Sequence, residues 1–178
     1  MYNYILFDLD GTLTDPEIGI TNGVMYALNK FGIEVSDRKE LHCFIGPPLV
    51  DAFMKYYGFS LENAKKATAY YREFFRKTGI YQNSVFEGID ELLKTLKNAG
   101  KTLILATSKP QEFAEIVLNY FDLMQYFDCV VGATFDGTLN YKADVIKVAL
   151  ERGKVAQAQA TPQKPFGKDC GKTLFWAG

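Results

Sequence analysis

Two aspartates, Asp8 and Asp10, stand two residues apart directly after the short apolar run Tyr4-Ile5-Leu6-Phe7, and Gly11 follows them. A run of that kind reads as a buried strand, and residues i and i+2 of an extended chain face the same side. The spacing therefore predicts two carboxylates on one face, at a point where Gly11 lets the backbone turn sharply. Neighbouring carboxylates can divide labour: one attacks as a nucleophile, and the other donates and then accepts a proton. Two like charges so close also invite a divalent cation, most simply Mg²⁺ held by hard oxygens. Taken alone, Asp-x-Asp has a plainer reading as a solvated acidic turn, because such short matches arise by chance.

The elements that must position these residues follow from the apolar pattern. Residues 16–78 read as mostly helical. Ile20, Val24, Ala27, Leu28 and Phe31 recur at helical spacing, a second helix spans about 48–57, and Ser60 is placed to cap a third. From Glu87 helices and strands alternate. Ile89, Leu92, Leu93 and Leu96 form one helical face, closed by Gly100. Residues 102–106 form an apolar strand ending at Thr107-Ser108-Lys109-Pro110, with Pro110 suited to the first turn of a helix bearing Phe113, Ile116, Val117 and Tyr120. Cys129-Val130-Val131 is a third strand and residues 143–150 a further helix. Strands separated by helices of this length imply a parallel sheet with right-handed crossovers. The fold class is α/β, a Rossmann-like parallel core, and ligands bind such sheets at the carboxyl ends of the strands.

The bulk composition narrows the class of function. With 178 residues, 48% hydrophobic and a formal net charge of -1, the chain can bury a core and lacks the basic bias of a nucleic-acid or membrane-surface binder. Neither nucleic acid nor membrane is expected as a partner. The three cysteines are widely spaced and form no metal or disulfide pattern, which suits a reducing cytoplasm. Chemistry beginning at Asp8 argues against a cleaved secretory leader. His42, the only histidine, reads as a surface or packing residue, and Cys43 beside it as a small buried hydrophobe.

The longer string Phe7-Asp8-Leu9-Asp10-Gly11-Thr12-Leu13-Thr14-Asp15 resembles the first motif of the haloacid-dehalogenase-like hydrolases. That resemblance implies that Asp8 becomes a transient aspartyl-phosphate, that Asp10 is the general acid/base, and that both hold Mg²⁺. Leu105-Ala106-Thr107-Ser108 resembles the family's second motif, in which the Thr107 hydroxyl and the Ser108 N–H bind the phosphoryl oxygens. Asn140-Tyr141-Lys142-Ala143-Asp144 resembles the third, whose lysine, here Lys142, neutralises nucleophile and phosphate together. The resemblance spans residues 1–152. It divides the chain into a catalytic core of residues 1–15 and 83–153, a helical cap inserted at 16–82, and an atypical tail at 154–178. The cap is similar to that of phosphoglycolate phosphatase and β-phosphoglucomutase, and Gly46, Pro47 and Pro48 resemble its substrate-specificity loop.

The fourth motif of the family, a further strand ending in an acidic pair that completes the Mg²⁺ site, has no counterpart. The tail offers only Gly167-Lys168-Asp169, ahead of the strand-like residues 173–176. Loss of that strand leaves one edge of the first strand unpaired, and residues 173–176 are the candidate substitute. The resulting expectation is a Mg²⁺-dependent phosphatase acting on a small phosphorylated metabolite, with a core truncated at its C-terminus. A sugar phosphomutase and an inactive phosphate-binding remnant are the alternatives.

Overall fold

The computed structural model describes residues 3–153 together with the backbone of residues 160–162 and 175–177. Asp169, Cys170 and the other tail residues beyond those six lie outside the described residues. The chain divides into two compact units, Met1–Asp15 with Val85–Gly178, and Pro16–Ser84.

The first unit is built on a five-stranded sheet in the order β5 (Cys129–Ala133), β4 (Thr102–Pro110), β1 (Tyr4–Phe7), β7 (Phe175–Ala177) and β6 (Ala160–Pro162). One side of it, from the edge inward, comprises β5, β4 and β1, all parallel. Ile5, Leu6 and Phe7 are buried, as are Leu103, Ile104 and Leu105, which explains why these strands read as continuous apolar runs. Helices α4 (Ile89–Asn98), α5 (Gln111–Tyr120) and α6 (Lys142–Arg152) supply the crossovers. Val145 and Ala149 of α6 pack on Leu6, Ile104, Ala106 and Val131, forming one core cluster. On α5 the buried face is Phe113, Ala114, Val117 and Leu118. Tyr120, expected on that face, is exposed, because the face turns one position from the spacing anticipated. Leu92 of α4 is likewise exposed, and Leu93 alone is buried on that helix.

Two features differ from a purely parallel sheet ending at Ala106. The strand β4 continues through Thr107, Ser108 and Lys109 to Pro110, with a register shift between Ala106 and Pro110. Pro110, with φ -51° and ψ 136°, therefore closes the strand and precedes α5 instead of forming its first turn. On the other side of β1, β7 (Phe175–Ala177) pairs antiparallel, Tyr4 opposite Ala177 and Leu6 opposite Phe175, and β6 (Ala160–Pro162) pairs antiparallel with β7. The open edge of β1 is thus met by the tail, in the opposite direction to the rest of the core. The short strands β2 (Thr14–Asp15) and β3 (Ser84–Val85) form a separate two-stranded sheet.

The second unit is helical: α1 (Glu17–Asn29), a 3₁₀ segment Arg38–Phe44, α2 (Leu49–Tyr57), α3 (Leu61–Lys77) and a short 3₁₀ turn Gly79–Tyr81. Ile20, Val24, Ala27 and Leu28 form the buried face of α1. Phe31 lies beyond the end of that helix, and its ring sits 4.8 Å from Phe59. The Ser60 hydroxyl accepts the Asn63 N–H at 3.2 Å, capping α3. Gly23 is required by packing, since a Cβ there would lie 2.7 Å from the Tyr71 ring. Cys43 is half-buried, not buried, and its thiol donates to the Glu40 carbonyl. His42 is exposed and pairs with Glu17 at 3.0 Å.

Candidate active site

Asp8 is the first residue beyond β1, at the carboxyl rim of the sheet. The turn that follows is closed by one carbonyl: Leu9 accepts the N–H groups of Thr12, Leu13 and Thr14 at 2.9–3.2 Å, while Gly11 donates to the Thr14 carbonyl at 2.7 Å. Gly11 takes φ +72°, a conformation costly for other residues. Leu9 and Leu13 are fully buried and anchor the turn. The Asp8 and Asp10 side chains, on either side of Leu9, remain on the rim, 19% and 14% exposed.

Each carboxylate is held by a lysine from a different element. One Asp8 oxygen accepts the Leu9 N–H at 2.8 Å, and the other meets the Lys142 ammonium at 2.8 Å. Lys142 is the first residue of α6, and its ammonium also donates to the Ala106 carbonyl in β4. Burial lowers the Lys142 pKa from its ordinary value, and the charges of Asp8 and then Asp10 oppose that shift. Thr107 and Ser108 come next in β4. Thr107 is buried, and its hydroxyl accepts the Lys109 N–H at 3.2 Å; Ser108 is half-buried. The structure therefore places Asp8, Asp10 and Lys142 together, with Thr107 and Ser108 on the strand segment between the Ala106 carbonyl and Lys109.

Lys109 is the residue that the sequence pattern did not single out. Its side chain is 4% exposed, and its ammonium donates to both Asp10 oxygens at 2.9 Å. A signal existed. In an extended strand Thr107 and Lys109 share a face, but the apolar run stops at Ala106, so Lys109 read as part of a turn. The register shift in β4 depends on Gly132 in β5. A Cβ there would lie 2.6 Å from the Gln111 Cα and 2.7 Å from the Lys109 carbonyl oxygen. The Gln111 side chain bridges the same gap, donating to the Val130 carbonyl and accepting the Gly132 N–H.

Gly46, Pro47 and Pro48 belong to the helical unit. They form the turn before α2, with Gly46 at φ +109° and both Gly46 and Pro47 exposed.

The donor chemistry at the rim suits Mg²⁺, which commonly takes one or two carboxylates and completes its shell with water and substrate phosphate. Among the described residues no group of three or more His, Cys, Asp and Glu gathers. Asp8 and Asp10 bring their carboxylates there, each paired with a lysine.

Comparison with known proteins bears on the family and the fold. The haloacid dehalogenase-like hydrolase family matches residues 5–161. A 5'-nucleotidase of Pseudomonas aeruginosa is 48% identical over 150 residues, covering 84% of this chain and 68% of that protein. The tyrosine-protein kinase PtkA of Mycobacterium tuberculosis is 36% identical over 160 residues, covering 90% of this chain and 53% of the relative. The crystal structure of a predicted phosphatase from Clostridium acetobutylicum superposes with a TM-score of 0.83 at 51% identity, covering 85% of this chain and 70% of that one.

Proposed function

The chain belongs to the haloacid dehalogenase-like hydrolases and is a phosphoric monoester hydrolase of that family, and from this premise we propose that it cleaves a small phosphorylated metabolite through an aspartyl-phosphate on Asp8, with Mg²⁺ as cofactor. Asp8 attacks phosphorus, and the P–O bond to the leaving group breaks as Asp10 hands that oxygen a proton. Water then attacks the aspartyl-phosphate while Asp10 takes a proton back, releasing inorganic phosphate and restoring both carboxyl groups. The Lys142 ammonium offsets the repulsion between the Asp8 carboxylate and the incoming phosphate. The Thr107 hydroxyl and the Ser108 N–H are assigned to the phosphoryl oxygens. Asp8 and Asp10 would hold Mg²⁺, which when bound neutralises phosphate charge.

The observation that supports this reading best is the state of Asp8. It is fixed on one oxygen by the Leu9 N–H and charge-matched on the other by Lys142. A merely solvated acidic turn would not need a half-buried lysine brought from α6.

The helical unit is assigned the part of a cap that selects the substrate, with Gly46, Pro47 and Pro48 as its specificity loop. The substrate class suggested by the motifs is that of phosphoglycolate and similar small monoesters. The Pseudomonas relative's name adds nucleoside 5'-monophosphates to the panel. A cytoplasmic setting suits Cys43 and Cys129, which are free thiols.

The decisive experiment follows phosphate release from 4-nitrophenyl phosphate and from that panel, with and without Mg²⁺. Asp8→Asn is expected to abolish release, and acid quenching of the unaltered chain should trap one phosphoryl group on the peptide containing Asp8. Undiminished turnover by Asp8→Asn would remove the mechanism. A phosphate-binding remnant is favoured by one observation, the lack among the described residues of a third acidic group beside Asp8 and Asp10. That reading expects ³¹P-detected phosphate binding without any turnover.

A further inference from the structure

We propose that Lys109 is the positioning residue for Asp10, fixing the carboxyl group in the rotamer from which it gives and retakes a proton. The role rests on the assignment of Asp10 as acid/base above. A lysine ammonium withdrawn from water is costly unless paired and hydrogen-bonded. Lys109 is withdrawn almost completely, and it spends two charge-assisted hydrogen bonds on the two oxygens of a single carboxylate. The backbone is shaped for this. The register shift in β4 after Ala106, made possible by the bare Cα of Gly132, carries Lys109 inward instead of letting the strand end at Thr107.

The arrangement also keeps the two aspartates apart in their partners. Lys142 pairs with Asp8 and is within electrostatic reach of Asp10. Without Lys109, Asp10 would be free to turn toward the Lys142 ammonium and compete with the nucleophile for it. With Lys109 in place each carboxylate has its own cation, drawn from its own element. Proton transfer needs the donor oxygen within hydrogen-bond reach of the leaving oxygen, so a wandering Asp10 loses rate in the step that needs the proton.

Two readouts test this. The first needs no turnover. Three-bond couplings from backbone nitrogen and carbonyl carbon to the Asp10 Cγ report its χ1 rotamer. They should show one rotamer in the unaltered chain, averaged values in Lys109→Met, and one rotamer again in Lys109→Arg. Lys109→Gln serves in place of Lys109→Met should the latter fail to fold by its amide spectrum. The second is leaving-group dependence. Lys109→Met should lower kcat about a hundredfold for glycerol phosphate, whose alkoxide needs a proton. The same variant should lose less than about tenfold for 2,4-dinitrophenyl phosphate, whose phenolate leaves unaided. Asp10 couplings unchanged by removal of the Lys109 charge would overturn the proposal, as would equal losses for both leaving groups. Failure of the phosphatase reading itself would appear elsewhere, as turnover that survives Asp8→Asn.

Discussion

The chemistry of the rim resolves into four side chains, and Lys142 is the one whose protonation should be visible. Burial pulls its pKa below that of an ordinary lysine, with Asp8 and Asp10 only partly restoring it. The charged ammonium is the form that pairs with Asp8. Activity should therefore fall on the alkaline side at a pH below the normal lysine range. Lys142→Arg should push that limb to higher pH, because arginine does not deprotonate there. Lys142→Met should lower kcat/KM about 10²–10³-fold, the loss typical of removing one preorganised electrostatic contact. A pH profile of kcat/KM for the three proteins checks both outcomes. Asp10→Asn should lower kcat about 10²–10⁴-fold, the range for a lost general acid/base, read in the same assay. Asp8, Asp10 and Lys142 were legible because motif order alone places them at strand and helix ends. Lys109 was not, because a lysine after an apolar run gives no sign that the strand continues through it.

Among the elements, the junction of β4, β5 and α5 is the one under strictest geometric control. Gly132→Ala puts a methyl group 2.6–2.7 Å from the backbone of Lys109 and Gln111, so it should destabilise the fold by about 1–3 kcal/mol as an overpacking change. Denaturant unfolding would measure this, and phosphatase activity should fall with it because Lys109 moves. A second link ties the N-terminal end of the same sheet to its cover. Asp128 accepts two bonds from Lys97 of α4 at 2.8 Å and one from the Leu103 N–H. Burial alone would raise the Asp128 pKa, but these three donors outweigh it, and the carboxyl lies below its ordinary value. A depressed folded pKa gives stability that is present above the unfolded carboxylate range and is lost as pH falls through the folded value. Asp128→Asn should thus be less stable than the unaltered chain at pH 7, by under about 1 kcal/mol for so exposed a pair. The gap should close as acidification carries the pH down through the folded value. Urea midpoints across that range decide it. Helix and strand identities here were readable from apolar spacing. The true end of β4 was not, since it goes with Gln111, at the start of α5, meeting Gly132 of β5.

For the molecule as a whole, the sheet continues past β1 with β7 antiparallel to it and β6 antiparallel to β7. The apolar residues 173–176 suggested a partner for that edge, and the backbone of Phe175–Ala177 pairs there. Direction was not readable, because a four-residue strand pairs either way and only its connection decides. Shortening the chain to residue 153 should bare the β1 edge and promote self-association. Light scattering at increasing concentration would register it, and equal behaviour of the short and full chains would count against the edge having mattered. The two lysine grips on the rim also have a meaning in time. Asp10 and Lys109 are 99 residues apart, so at about 5–20 residues per second of synthesis Asp10 is made roughly 5–20 s before its counter-ion. Lys142, on the final described helix, emerges later still. A nascent chain thus carries both carboxylates without their lysine partners until β4 and then α6 have been made.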